Sequence, residues 1–138
     1  MQYTCPKTSY AIPVYADSVA AGFPSPAQDY IENALDLHEL LIARPAATYF
    51  VRVSGDSMIE AGILEGDILI VDKSVKAQHG DTVVANVDDS FTVKVLAVKP
   101  QLKLIARNPD YPAITIKEGM TLDIFGVVTG VIRQLKRR

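Results

Sequence analysis

Thr82-Val-Val-Ala-Asn-Val-Asp-Asp-Ser-Phe-Thr-Val-Lys-Val-Leu-Ala-Val98 is the stretch that decides the fold. Two branched, apolar runs flank Asp88-Asp89-Ser90, a connection short enough for a β-hairpin joining Val87 to Phe91. Side chains alternate across a strand, so Thr92, Lys94 and Leu96 share one face while Phe91, Val93 and Val95 share the other. Lys94 therefore stands between two residues that tolerate a dry setting. Outward from this hairpin, further runs of strand character cover Tyr49 to Val53, Ile68 to Val71, Leu102 to Ile105, Ala113 to Ile116 and Leu122 to Ile132. Gly66-Asp67 and Gly80-Asp81 each punctuate the chain just before a run. Close spacing without intervening amphipathic helices predicts a mainly β, antiparallel, partly closed fold rather than a βαβ one.

The N-terminal third reads differently. Met1 to Ala21 has scattered apolar residues, no sustained period and prolines at Pro6 and Pro13, the pattern of an extended arm. Each proline in Gly22-Phe23-Pro24-Ser25-Pro26 pushes the residue before it toward extended geometry. Ser25-Pro26-Ala27-Gln28 has the form of a helix start, and Asp36-Leu37-His38-Glu39 has it again ahead of Leu40, Leu41 and Ile42, which read as packing groups. Pro45 sets a boundary at Arg44. The expected organisation is an arm over residues 1–25 and one β domain over 26–138, with one or two short helices.

Composition narrows the function classes. A chain of 138 residues that is 49% hydrophobic suits one globular domain with a real core. A net charge of -2 argues against a broad nucleic-acid surface, although the last six residues hold four basic side chains, Arg133, Lys136, Arg137 and Arg138. A single cysteine, Cys5, excludes an internal disulfide framework, and His38 and His79 are too far apart for a metal-ligand motif. No metal or cofactor is expected. There is neither an apolar run of membrane-spanning length nor a secretory signal pattern, so a soluble, cytoplasmic chain is expected.

Three features could carry chemistry. Tyr-Phe-Val-Arg-Val-Ser-Gly-Asp-Ser-Met, Tyr49 to Met58, runs from an alternating strand into a Gly/Asp/Ser turn that holds Ser57. Serine in such a turn serves local hydrogen bonding or, given a base, acts as a nucleophile. Lys94 is either a solvated strand lysine or a buried one. With a free pKa of ~10.4, only about one lysine in a thousand is neutral near pH 7.4, but burial disfavours the ammonium and enlarges that fraction. The Ala20 to Pro26 segment is either a linker or an extended substrate lying in a cleft.

Gly22-Phe23-Pro24-Ser25-Pro26, Ala47-Thr48-Tyr49-Phe50-Val51, Ser54-Gly55-Asp56-Ser57-Met58, Gly66-Asp67, His79-Gly80-Asp81 and Phe91-Thr92-Val93-Lys94 together resemble the LexA/UmuD family of self-cleaving Ser-Lys peptidases. The motifs occur in the family's order from Ala20 to Val128, whereas the first 20 residues carry little of the match. The resemblance implies that Ser57 is the nucleophile, Lys94 its general base and Ala21-Gly22 the scissile bond. Backbone N–H groups of Ser57, and of Asp56, would hold the developing oxyanion. One family branch has cysteine before the cut bond, where this chain has Ala21 and the LexA-type Ala-Gly pair.

The resemblance further implies cleavage stimulated by a RecA filament on single-stranded DNA during the SOS response. It implies a homodimer whose trimmed form serves a UmuC-like Y-family translesion polymerase, with contacts to replicative subunits such as the sliding clamp. Met1 to Ala21 is too short for the helix-turn-helix of a LexA repressor, so no sequence-specific DNA binding is expected. Two readings compete with this one: a non-catalytic interaction module of the same fold, and a Ser-Lys hydrolase acting on separate substrates.

Overall fold

The computed structural model describes residues 10–15 and 31–136. The Ala21-Gly22 bond and the helix start at Ser25 lie outside the described residues. The chain divides into two compact units between Ala43 and Arg44.

In the first unit, β1 (Ala11–Tyr15) pairs antiparallel with β2 (Ile31–Asp36). The scattered apolar residues of Met1 to Ala21 suggested an extended arm but gave no sign of a paired strand within it. Pro13 sits within β1 opposite Ala34, and a proline is tolerated there because a two-stranded sheet consists only of edges. Asp36 ends β2 and caps helix α1 (Leu37–Leu41), its carboxylate accepting from the N–H groups of His38 and Glu39, as the sequence predicts. Leu40 is 56% exposed and so is not the packing group expected, whereas Leu41 and Ile42 are half-buried.

The second unit opens with a short 3₁₀ turn at Pro45–Ala47 and continues as a seven-stranded antiparallel sheet. Its strands are β3 (Thr48–Arg52), β4 (Ile68–Asp72), β5 (Thr82–Val87), β6 (Ser90–Ala97), β7 (Lys103–Ile105), β8 (Ile114–Thr115) and β9 (Leu122–Ile132). The order across the sheet is β3-β4-β9-β5-β6-β7-β8, and its ends β3 and β8 do not meet, so it is not a closed barrel. All seven runs read from the sequence are strands, with bounds displaced by a residue or two. The β5–β6 turn places Asp88 at φ 47° and Asp89 at φ 69°, the left-handed pair a two-residue hairpin needs. Asp88 is further held at Thr121, whose N–H its carboxylate accepts.

Alternation divides the interior in two. Val84 and Val95 join Met58, Ile63, Leu69 and Val71, whereas Val83, Ala85 and Leu96 join Leu104 and Val127. β9 ties the halves together: its C-terminal part pairs with β4 and its N-terminal part with β5. Extra residues at Thr129 and Phe125 break the register with each neighbour, and such bulges bend a strand and increase its twist. Gly126 lies so close to β4 that a Cβ there would stand 2.6 Å from Val71 Cγ1. No helix of the described residues is long and apolar enough to cross a membrane.

Candidate active site

The turn after β3 is built to hold a serine. Val53 stays tied to the Gly66-Asp67 turn through Val53 N–H to Asp67 C=O (2.8 Å) and Gly66 N–H to Val53 C=O (2.9 Å). Gly55 then adopts φ +84°, which reverses the chain with no side chain in the way, and its N–H donates to Glu65 Oε1. Met58, 2% exposed, plugs into the core one residue beyond Ser57. A 3₁₀ turn, Ile59–Ala61, closes the segment. Ser57 is thus fixed between an anchored strand end and a buried side chain.

Lys94 comes from the middle of β6 and is 8% exposed. Its Nζ lies 3.1 Å from Ser57 Oγ, 2.6 Å from Thr92 Oγ1 and 3.2 Å from the Val93 carbonyl oxygen. The structure therefore brings together two residues 37 positions apart that the sequence singled out. Thr92 reaches the amine because strand residues two apart share a face. Burial pushes the Lys94 ammonium below the ordinary lysine range. Nζ donates in all three contacts; deprotonated, Lys94 would keep two N–H donors and gain a lone pair able to accept from the Ser57 hydroxyl.

A cleft of about 260 Å³ opens over this pair, lined by Val51 to Met58, Phe91 to Lys94, Val84 and Tyr111. Phe91, which lines it, packs at a tilt against Phe125 of β9, with ring centroids 4.7 Å apart and planes at 57°. The Asp56 and Ser57 N–H groups have no hydrogen-bond partner among the described residues.

The Asp56 carboxylate had no role assignable from the sequence, and the structure supplies partners for it and for the Asp56 carbonyl. Tyr111 Oη donates to Asp56 Oδ1 (2.6 Å), and Asn108 Nδ2 donates to the Asp56 carbonyl (2.9 Å). The Asp56 carboxylate beside it raises the Tyr111 phenol above its usual value. These partners lie in the β7–β8 loop, 52 and 55 positions away. The one sequence signal available was Asn108-Pro109, a turn-forming dipeptide. No cluster of metal-ligating side chains occurs among the described residues.

A family model described as Peptidase S24-like matches residues 13–129. Protein ImpA of Salmonella typhimurium is 47% identical over 130 residues, covering 93% of this chain and 88% of that protein. Protein SamA of Salmonella typhimurium is 49% identical over 124 residues, 90% and 86% of the two chains. A LexA repressor of Azoarcus is 39% identical over 117 residues, 83% of this chain but 57% of the repressor. From its motifs, its sheet and this kinship, the chain belongs to the S24-like peptidases, in the LexA/UmuD family.

Proposed function

We propose that the protein is a self-processing peptidase of the SOS mutagenesis type, cutting its own Ala21-Gly22 bond with Ser57 as nucleophile and Lys94 as general base. The observation that carries this reading is the buried Lys94 amine 3.1 Å from Ser57 Oγ. Ser57 Oγ attacks the Ala21 carbonyl carbon while neutral Lys94 takes the hydroxyl proton. The oxyanion is received by the N–H of Ser57, with that of Asp56 beside it. The C–N bond then breaks, and Lys94 as ammonium gives its proton to the departing Gly22 amine. Lys94 next takes a proton from water, whose oxygen attacks the acyl carbon, and returns it to Ser57 Oγ as the ester opens. The products are an N-terminal fragment ending at Ala21 and a chain from Gly22 to Arg138.

The position of this bond gives the cut a physical consequence. Along the chain it falls between β1 and β2, so after hydrolysis β1 is attached to β2 by pairing alone. An isolated two-stranded sheet is marginally stable, so β1 would dissociate and leave a β2 edge that the intact chain occupies. In the full reading, a RecA filament on single-stranded DNA stimulates the reaction in the cytoplasm. The trimmed homodimer then joins a UmuC-like Y-family polymerase, with the sliding clamp as a further contact. The relationship to a LexA repressor supports this setting.

The test is incubation of purified full-length protein at raised pH, with and without an activated RecA filament, followed by mass analysis. A fragment beginning at Gly22 that disappears in both Ser57→Ala and Lys94→Ala is the expected result. Intact wild-type protein even with the filament would instead favour a non-catalytic module. Cutting of an unrelated peptide with Ala21-Gly22 untouched would favour a hydrolase of separate substrates.

A further inference from the structure

The nucleophile turn is braced from one side by a loop that never touches Ser57 Oγ. Between β7 and β8, the Arg107 N–H donates to the Ser57 carbonyl (2.8 Å), and the Arg107 carbonyl accepts from the Glu60 N–H (2.8 Å). From the same loop, Asn108 Nδ2 holds the Asp56 carbonyl, and Tyr111 Oη holds the Asp56 carboxylate. Asn108 is itself oriented, because its Oδ1 accepts from the Asp110 N–H (3.0 Å), which leaves Nδ2 as the donor toward Asp56.

The peptide group joining Asp56 to Ser57 is planar and trans, so its C=O and N–H point in opposite directions. The Asp56 carbonyl is fixed by Asn108 and by the Ile59 N–H (3.2 Å). Fixing that oxygen fixes the plane, and with it the direction of the Ser57 N–H. In the peptidase reading above, this N–H is one of the two backbone donors to an oxyanion formed at Ser57. The Tyr111 bond restrains the same residue through its side chain, at the edge of the cleft.

We infer that Asn108 and Tyr111 are positioning residues that aim the Ser57 backbone N–H at the oxyanion, acting through Asp56. The inference rests on the peptidase reading above. Removing an oxyanion donor outright costs about 100- to 1000-fold in rate. Misaiming a donor that is still present forfeits part of this, so a loss of about 10-fold or more is expected.

The experiment measures self-cleavage of the full chain across pH in Asn108→Asp and Tyr111→Phe. Asn108→Asp keeps the acceptor for the Asp110 N–H while removing the donor to Asp56. The folded fraction of each variant is followed by circular dichroism at the assay temperature. The expected result is a rate lowered by about 10-fold or more at every pH, with the midpoint of the pH profile unmoved in Tyr111→Phe, which adds no charge near Lys94. Rates within about twofold of wild type in both variants would overturn the inference. So would a displaced midpoint in Tyr111→Phe, or in either variant a loss equal to the missing folded fraction. Failure of the peptidase reading has a separate signature: Ser57→Ala would cut as fast as the wild type.

Discussion

Gly126→Ala tests the packing that positions the cleft. A Cβ at position 126 would lie 2.6 Å from Val71 Cγ1, 2.9 Å from the Asp72 carbonyl oxygen and 3.2 Å from its carbon. Ordinary carbon contacts fall at about 3.5–4.0 Å, so β9 and β4 would have to part by roughly 1 Å. Neither side yields easily: Val71 is fully buried, and two of the three atoms are backbone of β4. Overpacking of this kind costs about 1–3 kcal/mol. At ~4–8 °C per kcal/mol for a unit of this size, Tm should fall by roughly 5–20 °C. Gly130→Ala is the internal control, because its Cβ would meet only the Ile70 side chain, nearest at the terminal Cδ1, 3.0 Å away. Its cost belongs at the bottom of the same range, about 1 kcal/mol. Thermal melts of the three proteins by circular dichroism decide the matter. A Gly126→Ala melt within about 2 °C of wild type, or a larger loss from Gly130→Ala, would refute the reasoning. Val71 and Met58 share one core cluster, so Gly126→Ala should slow self-cleavage as well.

Other expectations concern charge and turns. Arg133 grips the buried Asp67 by both carboxylate oxygens, and this bonding lowers the Asp67 carboxyl to about 2. A depressed carboxyl stabilises the fold above its unfolded value of ~3.9 and loses that contribution as pH falls through the folded value. Arg133→Met should therefore lower Tm most at neutral pH, and the gap to wild type should close between about pH 4 and about pH 2; a gap constant over that window would contradict it. At the β5–β6 turn Asp89 holds φ 69°, a left-handed conformation costing a non-glycine residue about 1 kcal/mol. Asp89→Gly should raise Tm by a few degrees in the same melts, and a fall would show that the Asp89 side chain makes a compensating contact.

How much of this was legible depends on the distance over which each signal acts. The Thr82 to Val98 hairpin declared itself because strand alternation and the turn residues are local; alternation put Lys94 between residues that tolerate dryness, but whether it was solvated or buried stayed open until the fold closed over it. The seven strands of the sheet were readable for the same reason. Pairing of β1 with β2 was not, because Pro13 and scattered apolar residues leave no period, and strand pairing depends on the opposite chain. Leu40 advertised burial, yet a five-residue helix at the end of β2 leaves it 56% exposed. The bulges of β9 were invisible, although Gly126 and Gly130 lie beside them. At the site, motifs named Ser57 and Lys94, but Asn108 and Tyr111 reach Asp56 only across the fold. No local pattern could link residues more than 50 positions apart.

The claim that a neutral, buried Lys94 activates Ser57 is met most directly by the pH dependence of self-cleavage. Release of the fragment beginning at Gly22 would be timed in wild type and in Lys94→Met across about pH 6 to about pH 11. Burial lowers the lysine value, so the neutral fraction, and the rate with it, should rise with pH and level off below the ordinary lysine value of ~10.4. Lys94→Met should release no fragment at any pH. A rate that climbs without a break through ~10.4, or a Lys94→Met chain that cuts as fast as wild type, would contradict the account.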